Sequence, residues 1–183
     1  MLKLKKYEEY SSDLVSIYYF DEYIPKYTHT DDGFSNALLV FKETKDVEMI
    51  DFFSKLIQKQ IKDGQEYVVC LVPSTDMNEK WPAIRHVAYQ VRKEKKLIMG
   101  EHIILRNKTI PKQKIFRNSI ETHLDSLSLF SSFKDVIKNQ KVILFDDIIT
   151  TGTSFNACAK LLLDNGAKKI IGIVLGKTKK LYK

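Results

Sequence analysis

KVILFDDIITTGTS, residues 141–154, carries the pattern that decides the fold. Four apolar residues, Val142 to Phe145, run straight into two carboxylates, Asp146 and Asp147. Ile148 and Ile149 follow, then Thr150, Thr151, Gly152, Thr153 and Ser154. A short apolar run bounded by turn residues reads as a buried strand. Neighbouring strand residues face opposite ways, so the two acids need not do the same work. Two anions this close repel unless something cationic or hydroxylic holds them. A vicinal diol can donate two hydrogen bonds to a carboxylate, and a hydrated Mg2+ can sit nearby. The hydroxyl-rich stretch reads as a tight turn entering a helix. Gly152 lets the backbone approach a ligand closely. The free N–H groups of a helix start, with the Thr150, Thr151, Thr153 and Ser154 hydroxyls, make an anion cradle. A diol site about one turn from an anion site suits a ribose 5-phosphate. The plainer alternative is a polar turn that caps a helix.

Outward from this stretch, strands and helices alternate. YVVCLVP (67–73) and HIILR (102–106) read as short strands before KVILF (141–145), and KIIGIVL (169–175) as one after it. Between them, Ile84, Val87, Ala88 and Val91 recur at helical spacing within a helix expected from Trp81 to Lys95. Phe155, Cys158, Ala159 and Leu162 mark the inner face of a helix ending at Asn165–Gly166. A short helix is expected within 119–137. Upstream, Ile50, Phe53, Leu56, Ile57 and Ile61 predict a helix from Val47 to Asp63, with Gly64 at its stop. TDDG (30–33) is a turn signal, and the first 45 residues read as short strands and turns. The pattern predicts an α/β fold: a mostly parallel twisted sheet with helices on both faces. Ligands in such sheets bind beyond the carboxyl ends of the strands. That rim holds 73–80, 106–117 and 146–154.

With 183 residues, 44% hydrophobic and 29% charged, the chain suits one soluble domain with its own core. Its apolar runs are too short to span a bilayer, and MLKLKKYEEYSSDL lacks the apolar region of a signal peptide. Cys70 and Cys158 are far apart and form no metal motif, which predicts a reduced, cytoplasmic protein. The formal charge of +7 favours polyanionic partners: nucleic acid, headgroups or phosphorylated small molecules.

The string Val142–Ser154 resembles the phosphoribosyl pyrophosphate (PRPP) signature of type I phosphoribosyltransferases: apolar residues, two acids, two further residues, then T-T-G-T-S. The resemblance implies that fold, with a PRPP-binding core over 46–178 and a small N-terminal hood over 1–45. It implies that Asp146 and Asp147 contact the ribose hydroxyls directly or through Mg2+. It assigns the sugar 5-phosphate to Thr150, Thr151, Gly152, Thr153 and Ser154, with Ile148 and Ile149 also within the PRPP site. Members acting on 6-oxopurines usually carry an aspartate where this chain has Thr150, so that acceptor class is disfavoured. The family's pyrophosphate loop corresponds to CLVPSTDMNEK (70–80), with Pro73, Ser74 and Thr75 as its contacts. Its mobile catalytic loop corresponds to RNKTIPKQKIFRN (106–118), whose Lys112, Lys114 and Arg117 would meet the leaving pyrophosphate. The same basic loop could contact nucleic acid phosphates.

LLVFKETKDVEMIDFFSKLI resembles the ComF branch, where an apolar segment ending F/Y-K precedes a helix and the first core strand. Thr109, Pro111 and Gln113 resemble that branch's T-x-P-x-Q loop, and VLGKT its chain end. The branch's N-terminal cysteine zinc module is missing, so no role in DNA uptake is carried over. The resemblance implies Mg2+-dependent transfer of 5-phosphoribose from PRPP to an unidentified nitrogen acceptor, releasing pyrophosphate. The alternative is a non-catalytic PRPP or nucleotide sensor, or a nucleic-acid-associated protein, that reuses the fold. Dimers are common in that family. Tyr18, Tyr19, Phe20 and Tyr23 read either as base-stacking groups of the hood or as core. GKT (176–178) lacks the first glycine of a P-loop, and His29, His86, His102 and His123 show no metal-ligand spacing.

Overall fold

The computed structural model describes residues 2–25, 32–62, 66–79, 81–110 and 119–180. Its centre is a six-stranded sheet. In spatial order the strands are β1 (Lys5–Lys6), β2 (Val15–Tyr23), β8 (Lys169–Thr178), β7 (Lys141–Ile149), β3 (Tyr67–Leu71) and β4 (Ile98–Met99). All neighbours are parallel except the short antiparallel pair β1–β2. Helices α1 (Gly33–Thr44), α2 (Val47–Gln58) and α3 (Ala83–Lys95) cover one face. Helix α6 (Thr153–Asp164) covers the other. The expected α/β architecture, mostly parallel with helices on both faces, is what the chain forms.

Alternation along β7 builds both cores. Val142 and Leu144 enter the cluster under α6, while Ile143 and Phe145 enter the cluster under α1, α2 and α3. A strand buried on both faces is the signature of a parallel sheet. Cys70 and Cys158 are buried free thiols, and burial pushes the Cys158 thiol up to about 12. Among the described residues no helix is long and apolar enough to cross a membrane.

Several expectations meet a different outcome. The first is HIILR, which does not join the central sheet. Ile98–Met99 takes that edge position, pairing Val68↔Ile98. The chain then passes β3 so closely at Gly100 that a Cβ there would lie 2.6 Å from Val68 Cγ1 and 2.7 Å from the Val69 carbonyl oxygen. It leaves the sheet, and β5 (Ile104–Arg106) pairs antiparallel with β6 (Leu127–Leu129) in a separate ribbon. The helix expected within 119–137 is divided. It becomes α4 (Ile120–Leu124), β6, a 3-10 turn (Ser131–Phe133) and α5 (Lys134–Ile137). Ser126 Oγ donates to the His123 carbonyl at 2.6 Å, closing the α4 end. α2 stops at Gln58, short of Asp63, and Gly64 lies outside the described residues.

The N-terminal 45 residues also contribute to the core. β2 runs parallel to β8 from Val15↔Ile170 to Tyr23↔Thr178. Ile17 and Phe20 are fully buried in opposite cores, so this strand forms part of the sheet interior. Phe20 is therefore core, and Tyr19 packs edge-on against Tyr7 with ring centres 6.0 Å apart. GFSNALLVFKET forms α1, started by Asp32, whose carboxylate accepts from the Ser35 N–H at 2.8 Å.

α6 is pressed onto the sheet where β8 offers a glycine. A Cβ at Gly172 would stand 2.4 Å from Phe155 Cζ, and Phe155 is buried. Gly172→Val should therefore destabilise the fold by about 2 kcal/mol through overpacking. Urea unfolding of the variant against wild type checks this.

Candidate functional site

The two acids do not leave the sheet where the apolar run ends. β3 stops at the pair Leu71↔Phe145, with one further bond from the Val72 N–H to the Phe145 carbonyl at 2.9 Å. β8 keeps pairing with β7 through Asp146↔Val174 to Ile149↔Lys177. Asp146 and Asp147 are thus strand residues held on one side only. The space beside them, past the end of β3, opens as a cavity of about 410 Å3. Lys42, Pro73, Ser74, Thr75, Asp146 and Asp147 are among its lining residues.

Strand alternation sends the acids to different neighbours. Asp147 Oδ2 lies 2.7 Å from Lys42 Nζ on α1. Asp146 lines a smaller cavity of about 120 Å3 on the α6 side, with Thr75, His123 and the turn from Ile148 to Phe155. Both carboxylates also cap backbone: Asp146 Oδ1 accepts from the Asp147 N–H at 2.9 Å, and Asp147 Oδ1 from the Ile148 N–H at 2.6 Å. Burial, then the neighbouring Asp147 carboxylate, hold Asp146 well above the ordinary carboxylate range, against the opposing pull of Lys42. Burial tends to lower Lys42, but Asp147 and then Asp146 outweigh it and the ammonium is raised overall.

The turn after β7 has the geometry its sequence demands. Gly152 occupies the left-handed region, φ 72° and ψ −3°, and precedes the first turn of α6. Among the described residues no side chain caps that helix start. The residues of that helix start, Gly152 to Phe155, line the smaller cavity, and the first N–H groups of a helix have no partner within it. Thr151 Oγ1 and Thr153 Oγ1 are 3.0 Å apart, and Thr150 Oγ1 is 2.8 Å from Thr178 Oγ1 on β8. The structure therefore brings Asp146, Asp147, the 148–154 turn and the 73–75 loop onto one rim.

That loop is held in place from the β5 side. Arg106 Nε donates to the Ser74 carbonyl at 3.0 Å and Nη2 to the Pro73 carbonyl at 3.3 Å, while Nη1 reaches Ser126 Oγ. Its guanidinium is committed to the loop backbone, so its place is structural rather than that of a free cation for a ligand. Ile110 N–H donates to the Thr75 carbonyl at 3.1 Å, and Met77 N–H to Thr109 Oγ1 at 3.2 Å. Lys112, Lys114 and Arg117 lie outside the described residues.

Sequence reasoning missed two groups at the site. Lys42 supplies the cation that adjacent acids call for. His123 was weighed only as a metal ligand. Glu79 adds a third carboxylate to the larger cavity. Among the described residues no three His, Cys, Asp or Glu side chains cluster to hold a metal by themselves. Two carboxylates beside an open cavity, Asp146 and Asp147, are of the chemistry that would hold a Mg2+ which keeps water and ligand oxygens.

The raised Asp146 has a consequence for stability. The folded protein holds its proton at pH values where the unfolded chain has released it, so stability is lost as pH rises from about 4 through the folded pKa. Asp146→Asn should flatten that slope, leaving the variant more stable than wild type at pH 7 and no more stable near pH 3. Urea titrations in EDTA across this range check it.

No protein-family model matches the chain. Over 70 residues it is 34% identical to an adenine phosphoribosyltransferase of Treponema denticola, a match covering 38% of this chain. The chain spans 36% of that curated relative's length. Among solved structures, it is similar to an adenine phosphoribosyltransferase of Thermoanaerobacter pseudethanolicus at 17% identity and TM-score 0.48, over 73% of this chain and 83% of that one. It is also similar to a hypoxanthine phosphoribosyltransferase of Staphylococcus aureus at 16% identity and TM-score 0.44, over 73% of this chain and 68% of that one.

Proposed function

We propose that the chain binds PRPP with Mg2+ and transfers 5-phosphoribose to a nitrogen acceptor, releasing pyrophosphate. One observation carries this reading: paired acids, an uncapped helix start rich in hydroxyls and the 73–75 loop share one rim. The partial identity to an adenine phosphoribosyltransferase supports the same reaction class. The Phe41–Lys42 pair ahead of α2 supports the ComF-like branch within it.

In this reading the turn from Thr150 to Ser154 receives the sugar 5-phosphate through backbone N–H groups and hydroxyls. Asp146 and Asp147 accept hydrogen bonds from the ribose hydroxyls. The 73–75 loop receives the pyrophosphate through backbone and hydroxyl contacts. Mg2+, when bound, would neutralise charge on the pyrophosphate as it departs. The bond from C1 to pyrophosphate oxygen breaks, a bond from C1 to the acceptor nitrogen forms, and the nitrogen gives up a proton to water or to the departing pyrophosphate. The sugar gains positive charge on the way, and the carboxylates on the rim favour that charge. Lys42 holds Asp147 while the diol is absent and must share or yield it when the diol arrives. The lack of an acid at Thr150 disfavours 6-oxopurines as the acceptor, because a threonine hydroxyl cannot manage the proton of such a base at neutral pH.

Calorimetric titration with PRPP and Mg2+ tests the reading. Wild type should bind, and Asp146→Asn/Asp147→Asn should bind about 100-fold more weakly, as expected for losing charge-assisted hydrogen bonds. Equal binding by both proteins, or none by either, contradicts the assignment. Pyrophosphate release across a panel of bases then separates an enzyme from a PRPP sensor, which would bind and release none.

A further inference from the structure

His123 lies outside every motif of the phosphate turn, yet the residue is among those lining the smaller cavity at the start of α6. It is 0% exposed, and neither ring nitrogen has a hydrogen-bond partner among the described residues. An imidazole always carries at least one N–H donor. A buried donor without a partner is costly, and native structures rarely keep one without a reason. Packing alone does not call for it, because a phenylalanine would fill a similar volume without an orphaned polar atom. The backbone around it is firmly placed. Ser119 Oγ accepts from the Thr122 N–H at 3.2 Å at the start of α4, and the His123 carbonyl accepts from Ser126 Oγ. The residue is thus placed beside the cavity by its neighbours, with both ring nitrogens buried and without a partner among the described residues.

We infer that His123 donates a ring N–H hydrogen bond to the phosphate group held by the 150–154 turn, so that α4 forms a wall of the phosphate subsite. This rests on the reading of the site as one for a sugar phosphate. Burial, then the Arg106 guanidinium, hold His123 below the ordinary imidazole range, which leaves the ring neutral at neutral pH. A neutral donor adds a directed hydrogen bond without setting a cation beside Arg106. At about 120 Å3 the cavity is well below the ~300–1,000 Å3 of pockets that take a whole drug-sized ligand. Thr75 and the hydroxyls of the 150–154 turn also line this cavity and can donate, and Asp146, whose carboxyl is raised by burial, is the acidic group on its wall.

The test uses ribose 5-phosphate as probe, with ribose as the control lacking phosphate. His123→Phe should melt at the same temperature as wild type or higher, because the orphaned donor is gone. It should bind ribose 5-phosphate about 10-fold or more weakly, the loss expected for one hydrogen bond to a charged group. His123→Gln, which keeps an N–H, should retain more affinity than His123→Phe. In wild type carrying 15N-histidine, the His123 ring signals should move on adding ribose 5-phosphate and stay still on adding ribose. The assignment follows by substituting the other three of the four histidines, His29, His86 and His102. Unchanged affinity in His123→Phe, or unmoved ring signals while the probe binds, overturns the role of His123 alone. If wild type binds neither ribose 5-phosphate nor PRPP with Mg2+, the sugar phosphate reading falls and this role with it.

Discussion

β8 holds β7 beyond the point where β3 lets it go. On one side the pairing stops at Phe145, and on the other it continues to Ile149. This unequal support carries two carboxylates out of the closed sheet on a rigid strand. It leaves a cavity on the side that β3 has vacated, with the 73–75 loop as the far wall. It also fixes where the chain turns, and therefore where the first N–H groups of α6 point. A loop could bring the same residues together, but a strand clamped by a long neighbour does so with little freedom to lose on binding.

The electrostatics follow from that placement. Adjacent strand residues face opposite sides, so one acid meets α1 and Lys42 while the other faces the turn before α6. Burial and mutual repulsion raise Asp146, and the Lys42 ammonium offsets part of this. The site is therefore strained in charge before any ligand arrives. A cation or a pair of diol hydroxyls would relieve it, which is the physical link between the fold's geometry and the chemistry proposed for it. Functional sites commonly concentrate perturbed carboxylates in this way.

The central stretch was legible because it combines local rules that agree. An apolar run, a glycine able to adopt positive φ, and hydroxyls at a helix start all point to strand, turn and helix. The inner faces of α3 and α6 were legible from helical spacing, and Val91 and Leu162 are buried as that spacing requires. Long-range placement was not legible. Nothing local in VSIYYFDEY says that it pairs with β8, more than 140 residues away in sequence. HIILR has the composition of a sheet strand, but the close passage at Gly100 turns it into the ribbon with β6. Lys42 and His123 were invisible as site residues because each comes from an element remote in sequence from the acids. A lysine on a helix and a histidine on a short one carry no signal until the fold sets them beside Asp147 and the phosphate turn.

The central claim is that one rim, made of 146–155 and the 72–76 loop, takes up a sugar phosphate carrying pyrophosphate. Amide hydrogen exchange followed by mass spectrometry, with and without PRPP and Mg2+, tests this most directly. Slowed exchange is expected in peptides covering 146–156, where the start of α6 gains an anion, and in peptides covering 72–76. PRPP binding accompanied by protection elsewhere, with exchange at 146–156 unchanged, would contradict it.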